Sequence, residues 1–213
     1  WSRTGTWNNT GNVTVTMTGI AANLNAQSFY NLVVSAGTRT SGFLVTVSND
    51  LTVSGGSLTC SAGLAVTGTA TVSGGLLTCD TAGNVTAGTL TLSGGDMANS
   101  RPLTVSNNFT INNAASTYSG TGSVTISSGD LVISDTTASD FGGVLTLGGA
   151  DGDITISGGT TTFSAAASTT GATGGLTISG GTLTNNALLT IAQNLAQTGG
   201  TLTGTGDIDV NGL

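Results

Sequence analysis

Histidine, lysine and glutamate are absent from this chain of 213 residues, and charged side chains make up only 6 % of it. Without histidine no Ser/His or Cys/His pair can activate a nucleophile. The three basic residues, Arg3, Arg39 and Arg101, are scattered, so no basic patch exists to neutralise a row of phosphates, and nucleic acid is not an expected partner. No apolar run approaches the ~18 residues that a membrane-spanning helix needs. Helix formers such as Glu, Lys, Gln and Met are missing or scarce, while Thr, Val and Ile abound. The composition therefore predicts an all-β chain. The sequence begins at Trp1 with neither an initiating Met nor a charged-then-apolar leader, which points to a removed signal peptide or a fragment of a longer chain.

What the chain does contain is glycine, at 35 positions, with many Thr, Ser and Asn and a hydrophobic content of 37 %. That much apolar content excludes a disordered polar tract. The net charge of −7 comes from ten aspartates spread thinly along the chain. A neutral, hydroxyl-rich surface without lysine suits the outside of a cell, where trypsin-like enzymes find few sites, and an extracellular or cell-surface location is expected.

The dominant feature is a repeat. Leu51-Thr-Val-Ser-Gly-Gly-Ser-Leu-Thr-Cys60 returns as Ala70-Thr-Val-Ser-Gly-Gly-Leu-Leu-Thr-Cys79, and shorter copies start at Leu90, Val124, Ile154 and Leu176. Each copy alternates apolar and polar residues and then turns at glycine. The inward pairs run from Leu51/Val53 through Ala70/Val72, Leu90/Leu92, Leu103/Val105 and Val124/Ile126 to Ile208/Val210. A second short strand follows the turn, as in Leu58-Thr-Cys60, and a third follows in places, as in Leu64-Ala-Val66. Three short strands in ~20 residues describe one rung of a parallel β-solenoid, and roughly ten rungs are expected. Some copies are closer together, 13 residues from Leu92 to Val105 and nine from Leu147 to Ile156, so these sit on different faces or mark irregular rungs.

Residues 1–47 are less regular than 48–213 and read as an N-terminal cap or docking region. Strands are expected over Asn12–Thr18, Ser28–Val34 and Phe43–Val47, and one helical turn between Ile20 and Ala26. Trp1, Trp7, Phe29, Tyr30 and Phe43 concentrate aromatics where a solenoid end needs covering.

The phrase Phe29-Tyr-Asn-Leu-Val-Val34, followed by serial Leu-Thr-Val-Ser-Gly-Gly, resembles the β-strand repeats of bacterial cell-surface proteins. These include autotransporter passenger regions and filamentous-haemagglutinin-like adhesins. The resemblance covers residues 43–213 and implies a secreted, right-handed parallel β-solenoid serving as stalk, adhesin or matrix fibre. It carries over no functional residues.

Candidate chemistry is sparse. Cys60 and Cys79 hold the same place in consecutive rungs, which makes them a buried thiol ladder or a disulfide. Gly148-Gly-Ala-Asp-Gly-Asp-Ile154 is similar to a calcium nonapeptide, but Asp151 and Asp153 offer too few oxygens, and a solvated turn is expected. Asp130, Asp135 and Asp140 recur every five residues, yet acid–base hydrolysis needs a carboxylate pair held in a cleft. Neither an enzyme nor a cofactor or metal is expected. Thr52, Thr71, Thr91, Thr104, Thr125, Thr155 and Thr177, each followed two residues later by Ser, form an outward hydroxyl ladder on one wall. Sequons stand at Asn8, Asn12, Asn84 and Asn108.

These readings favour a structural protein of an extracellular filament, sheath or surface stalk. It would assemble head to tail with itself, through Trp1 and Trp7 at one end and Ile208, Val210 and Leu213 at the other. The alternative is a surface adhesin or a solenoid module that binds ice or surface glycans.

Overall fold

The computed structural model describes residues 11–19, 22–24, 28–135 and 137–212. Every element among them is a β-strand, and every strand pairing is parallel. The chain winds through ten rungs, each a triangle of three short strands, and each strand pairs with its counterpart in the next rung. Rung 3 shows the plan: Leu51–Val53 on the first wall, Ser57–Cys60 on the second, and the start of Leu64–Val72 on the third. The second wall forms a ten-stranded sheet, whereas the first and third belong to one eighteen-stranded sheet. They join because Leu64–Val72 and Val85–Leu92 round the corner into the next rung without ceasing to be strands.

Alternation along each strand decides what is buried. On the first wall Leu51, Ala70, Leu90, Phe109, Leu131, Ile154 and Leu176 stack in register, with Val53, Val72, Leu92, Ile111, Ile133, Ile156 and Ile178 beside them. All are buried. A fully buried Leu or Ile contributes roughly 1.5–3 kcal/mol relative to exposure. On the third wall the same is true of Val45, Leu64, Val85, Leu103, Val124, Leu145, Ala167 and Leu189. The short 13- and nine-residue steps are thereby explained. Leu103–Val105 lies on Val85–Ala87 of the third wall, and Ile154–Ile156 on Leu131–Ile133 of the first, so these copies occupy different faces.

The second wall carries bulk differently. Its two inward positions pair a large residue with a small one in most rungs: Leu58/Cys60, Leu77/Cys79, Met97/Asn99, Tyr118/Gly120, then Ser139/Phe141 and Thr161/Phe163. The large partner changes side between Tyr118 and Phe141, whose ring centroids are 4.7 Å apart. Phe109 meets both edge-on, and Phe163 continues the cluster at 5.7 Å from Phe141. A Cβ at Gly120 would collide with the Tyr118 hydroxyl, so glycine there makes room for the tyrosine ring beside it on the same strand.

Two kinds of corner close the triangle. Between the first and second walls stand glycines such as Gly56, Gly159 and Gly181, with φ of 74°, 70° and 68°. A Cβ at Gly181 would fall 2.5 Å from the Gly159 carbonyl oxygen of the rung before. Positive φ and close stacking both demand glycine there. Between the third and first walls runs a ladder of Asn and Asp. Asp50 N–H donates to Asn31 Oδ1 (3.1 Å), Thr69 N–H to Asp50 Oδ1 (2.8 Å), and Asp130 N–H to Asn108 Oδ1 (3.0 Å). Asp153 N–H then donates to Asp130 Oδ1 (3.0 Å) and Gly175 N–H to Asp153 Oδ1 (2.7 Å). Each side chain thus satisfies a corner amide of the following rung.

The described residues of the N-terminal region follow the same plan, with one correction to the sequence reading. Ala22–Leu24 is a strand paired with Arg39–Ser41, not part of a helical turn; residues 20, 21 and 25–27 of that expected turn lie outside the described residues. Stacking runs unbroken across residue 47, since Val45–Val47 pairs with the first part of Leu64–Val72. The aromatic cluster lies in mid-rod, whereas at the N-terminal end Phe29 is buried and Phe43 is half-exposed.

Ile178→Asp should cost more than about 4 kcal/mol, because an unpaired carboxylate would enter a narrow apolar core. Gly181→Ala should cost about 1–3 kcal/mol through positive φ and the close carbonyl. Thermal melts followed by circular dichroism check both, and unchanged midpoints would show the walls to be wrongly assigned.

Candidate functional site

Most of the buried polar side chains of the core belong to the second wall, several of them in the inner column at the end of its strands. Ser41, Cys60, Cys79 and Asn99 follow one another there, all buried. The Ser41 hydroxyl lies between the Phe43 (2.7 Å) and Leu24 (3.0 Å) carbonyls, either of which can accept its proton, and the Asn99 amide donates to the Arg101 carbonyl at 2.7 Å. Cys60 and Cys79 are free thiols in adjacent rungs. A hydrogen bond with Cys60, and then burial, push the Cys79 thiol well above its usual range. Two residues along the strand from Gly120, the Tyr118 hydroxyl is buried without a hydrogen-bond partner. Burial drives its pKa upward, and the nearby Asn99 amide only softens the shift.

The aspartates singled out in the sequence are not gathered into a cleft. Asp130 precedes Leu131–Asp135, whose far end is Asp135, and Asp140 faces outward from the second wall. Seven of the ten aspartates spend an oxygen on the protein itself. Asp130 and Asp153 hold the corner ladder, Asp140 accepts the Ser164 hydroxyl (2.8 Å), and Asp96 accepts both N–H and hydroxyl of Thr117. The glycine-rich loop over residues 148–153 stacks on the loop over 170–175. Thr173 N–H donates to the Ala150 carbonyl (3.0 Å), and its hydroxyl to the Asp151 carboxylate. Among the described residues no group of three His, Cys, Asp or Glu side chains is placed to hold a metal ion. A sign of this corner in the sequence is the Asn or Asp directly before many of the first-wall apolar pairs, as at Asn31, Asp50, Asn108, Asp130 and Asp153.

The outward hydroxyl ladder is divided between walls. Thr52, Thr71, Thr91, Thr155 and Thr177 lie on the first wall together with Thr110, whereas Thr104 and Thr125 lie on the third. Periodicity alone could not separate them, because both walls share the apolar-Thr-apolar pattern. A second array went unnoticed. On the second wall Thr160, Thr182 and Thr201 are in register, and Thr162, Thr184 and Thr203 form a parallel row two residues along. Those six threonines make an uncharged grid of hydroxyl and methyl groups across three rungs.

Of the expected assembly residues, Trp1, Trp7 and Leu213 lie outside the described residues. Ile208 and Val210 belong to the strand Ile208–Val210, which pairs with Leu189–Ile191 along one edge. Ile208 is exposed and Val210 half-buried, as are Leu195 and Leu202 in the same rung, because no further layer covers them among the described residues. No helix among the described residues is long and apolar enough to cross a membrane. No family model, curated protein or solved structure matches the chain.

Tyr118→Phe should hold or raise stability by up to about 1 kcal/mol, since it removes a buried hydroxyl without a partner. The phenol of the folded protein stays neutral where that of the unfolded chain ionises near pH 10. Stability is therefore intact below that pH and lost as pH rises through the folded value. Cys79 adds a similar loss that begins near pH 9. Melting curves from pH 8 to 11 should fall less steeply for Tyr118→Phe than for the parent; an equal fall would place the phenol outside the core.

Proposed function

We propose that this chain is a length of extracellular rod, a structural segment of a surface stalk, sheath or filament that lengthens by stacking end to end. The observation that carries the reading is the uninterrupted ladder. Each strand pairs with its counterpart one rung away, so the last described rung presents the same hydrogen-bonding template that every earlier rung used. Whatever continues it, in the same chain or in another copy, adds by the same bonds. The polar residues support this reading, since most aspartates stabilise corners and loops. Exposure outside the cell fits the placement of the arginines: Arg39 is buried and Arg101 precedes Pro102, so trypsin-like enzymes find little to cut.

Association by backbone ladder and apolar contact rests on no ion pairs, so it should be nearly insensitive to salt. Sedimentation of the unmodified chain should show assembly with similar constants at low and high ionic strength. Ile208→Lys, on the exposed last rung, should leave folded monomers. A chain that stays monomeric at high concentration, or a variant that still assembles, would overturn the end-to-end reading.

A second reading, an ice-binding module, is favoured by the threonine grid on the second wall. Its rows are separated by ~4.8 Å between strands and roughly 6.6 Å along them. A regular, uncharged lattice of hydroxyls and methyls suits a lattice ligand better than an ionic one. Thermal hysteresis should appear with the parent and vanish in Thr184→Asp, a substitution at a half-exposed site that keeps the core. Absence of hysteresis in the parent rules this reading out.

A further inference from the structure

We propose that Cys60 and Cys79 are an oxidative cross-linking site, which closes as a disulfide between rungs 3 and 4 when the chain folds in the presence of a disulfide oxidant. They are the two cysteines of the chain. Thr59 and Thr78 are register partners, so the residues that follow them are neighbours across the rungs. The ~4.8 Å between strands lies within the ~4.4–6.8 Å range of Cα separations in disulfides. The Cys60 thiol is close enough to raise the pKa of the Cys79 thiol. Bonding requires the Cβ atoms to draw together to ~3.8 Å, a movement smaller than the strand spacing.

Two features make that movement accessible. Register pairing of the two strands stops at Thr59 and Thr78, one residue short of the cysteines. Beyond Cys79 the chain takes the loop over residues 80–84 to reach the third wall at Val85, two residues more than the link from Cys60 to Leu64. The neighbours above and below in the column, Ser41 and Asn99, place no large side chain between the sulfurs.

The chemistry is thiol–disulfide exchange with glutathione disulfide. One cysteine thiolate attacks it, forming a mixed disulfide and releasing one glutathione. The second cysteine thiolate attacks the protein sulfur of that mixed disulfide and releases the other. Two electrons leave the cysteine pair, one glutathione disulfide becomes two glutathiones, and these take up the two protons. In the closed rung burial and the thiol–thiol hydrogen bond keep the Cys79 proton in place, so little thiolate forms. Exchange therefore belongs to the folding chain, before the fourth rung seals over the third.

The test is to unfold the full chain and refold it in parallel with glutathione disulfide plus glutathione, or with reductant alone. The oxidised product should be two hydrogens lighter by intact mass and take up no alkylating agent when denatured. Its melting midpoint should rise by on the order of 5 °C, because the cross-link closes the loop from Cys60 to Cys79 in the unfolded chain. Cys60→Ser and Cys79→Ser proteins should melt alike in both buffers. Two alkylatable thiols after oxidative refolding would overturn the proposal, as would a bridged protein that melts at or below the reduced one.

Discussion

Parallel in-register hydrogen bonding between successive rungs is the constraint from which the rest of this structure follows. A spacing of ~4.8 Å leaves no room for one rung to differ in outline from the next. Apolar side chains therefore stack on apolar side chains, as Val53 does on Val72 and Ile133 on Ile156, and the inner columns of the first and third walls run almost wholly apolar. Variation survives in two ways. Extra residues bulge outward at corners, as in the stacked loops over 148–153 and 170–175. Within the core, a larger side chain at one position is offset by a smaller one beside it, as Tyr118 is by Gly120 and Phe141 by Ser139.

The same constraint explains where polar chemistry went. A corner interrupts the ladder and leaves amides facing no carbonyl. Asn31, Asp50, Asn108, Asp130 and Asp153 supply acceptors at one such corner, each to the rung that follows. A carboxylate that already receives an amide of the next rung is part of the scaffold. Acidic residues in this chain thus read as corner pieces before they read as solubilising charge or as ligands for a cation. Glycine serves the opposite corner, where the backbone itself comes too close for a Cβ.

A triangular prism with three flat walls offers little concavity, and the described residues gather no cluster of titratable groups. Surface character then depends on which residues face outward from each wall. The central outward positions are chiefly threonine, a good strand residue that also keeps the surface neutral. Extension along the axis costs no new design, because every rung presents the template for the next. That economy is why a repeat of this kind suits a rod whose length can be set by copy number.

The sequence by itself determined the fold class, the approximate period, and the inward face of the repeat copies that keep the apolar-Thr-apolar pattern. Leu51, Val72 and Ile178 were legible because alternation, glycine spacing and residue type all agree within one copy of the repeat. Adjacency of Cys60 and Cys79 was legible for the same reason, through the 19-residue register. Only the tertiary structure decided which wall each copy occupies. Leu103-Thr-Val105 and Leu51-Thr-Val53 are locally alike, and their separation depends on summed corner lengths that no local pattern records. The aromatic cluster was likewise hidden, because Phe109, Tyr118, Phe141 and Phe163 come from four strands in three rungs and meet only when stacked. Strand ladders are written in periodicity; what lies beside what around the turn of the coil depends on where the corners fall.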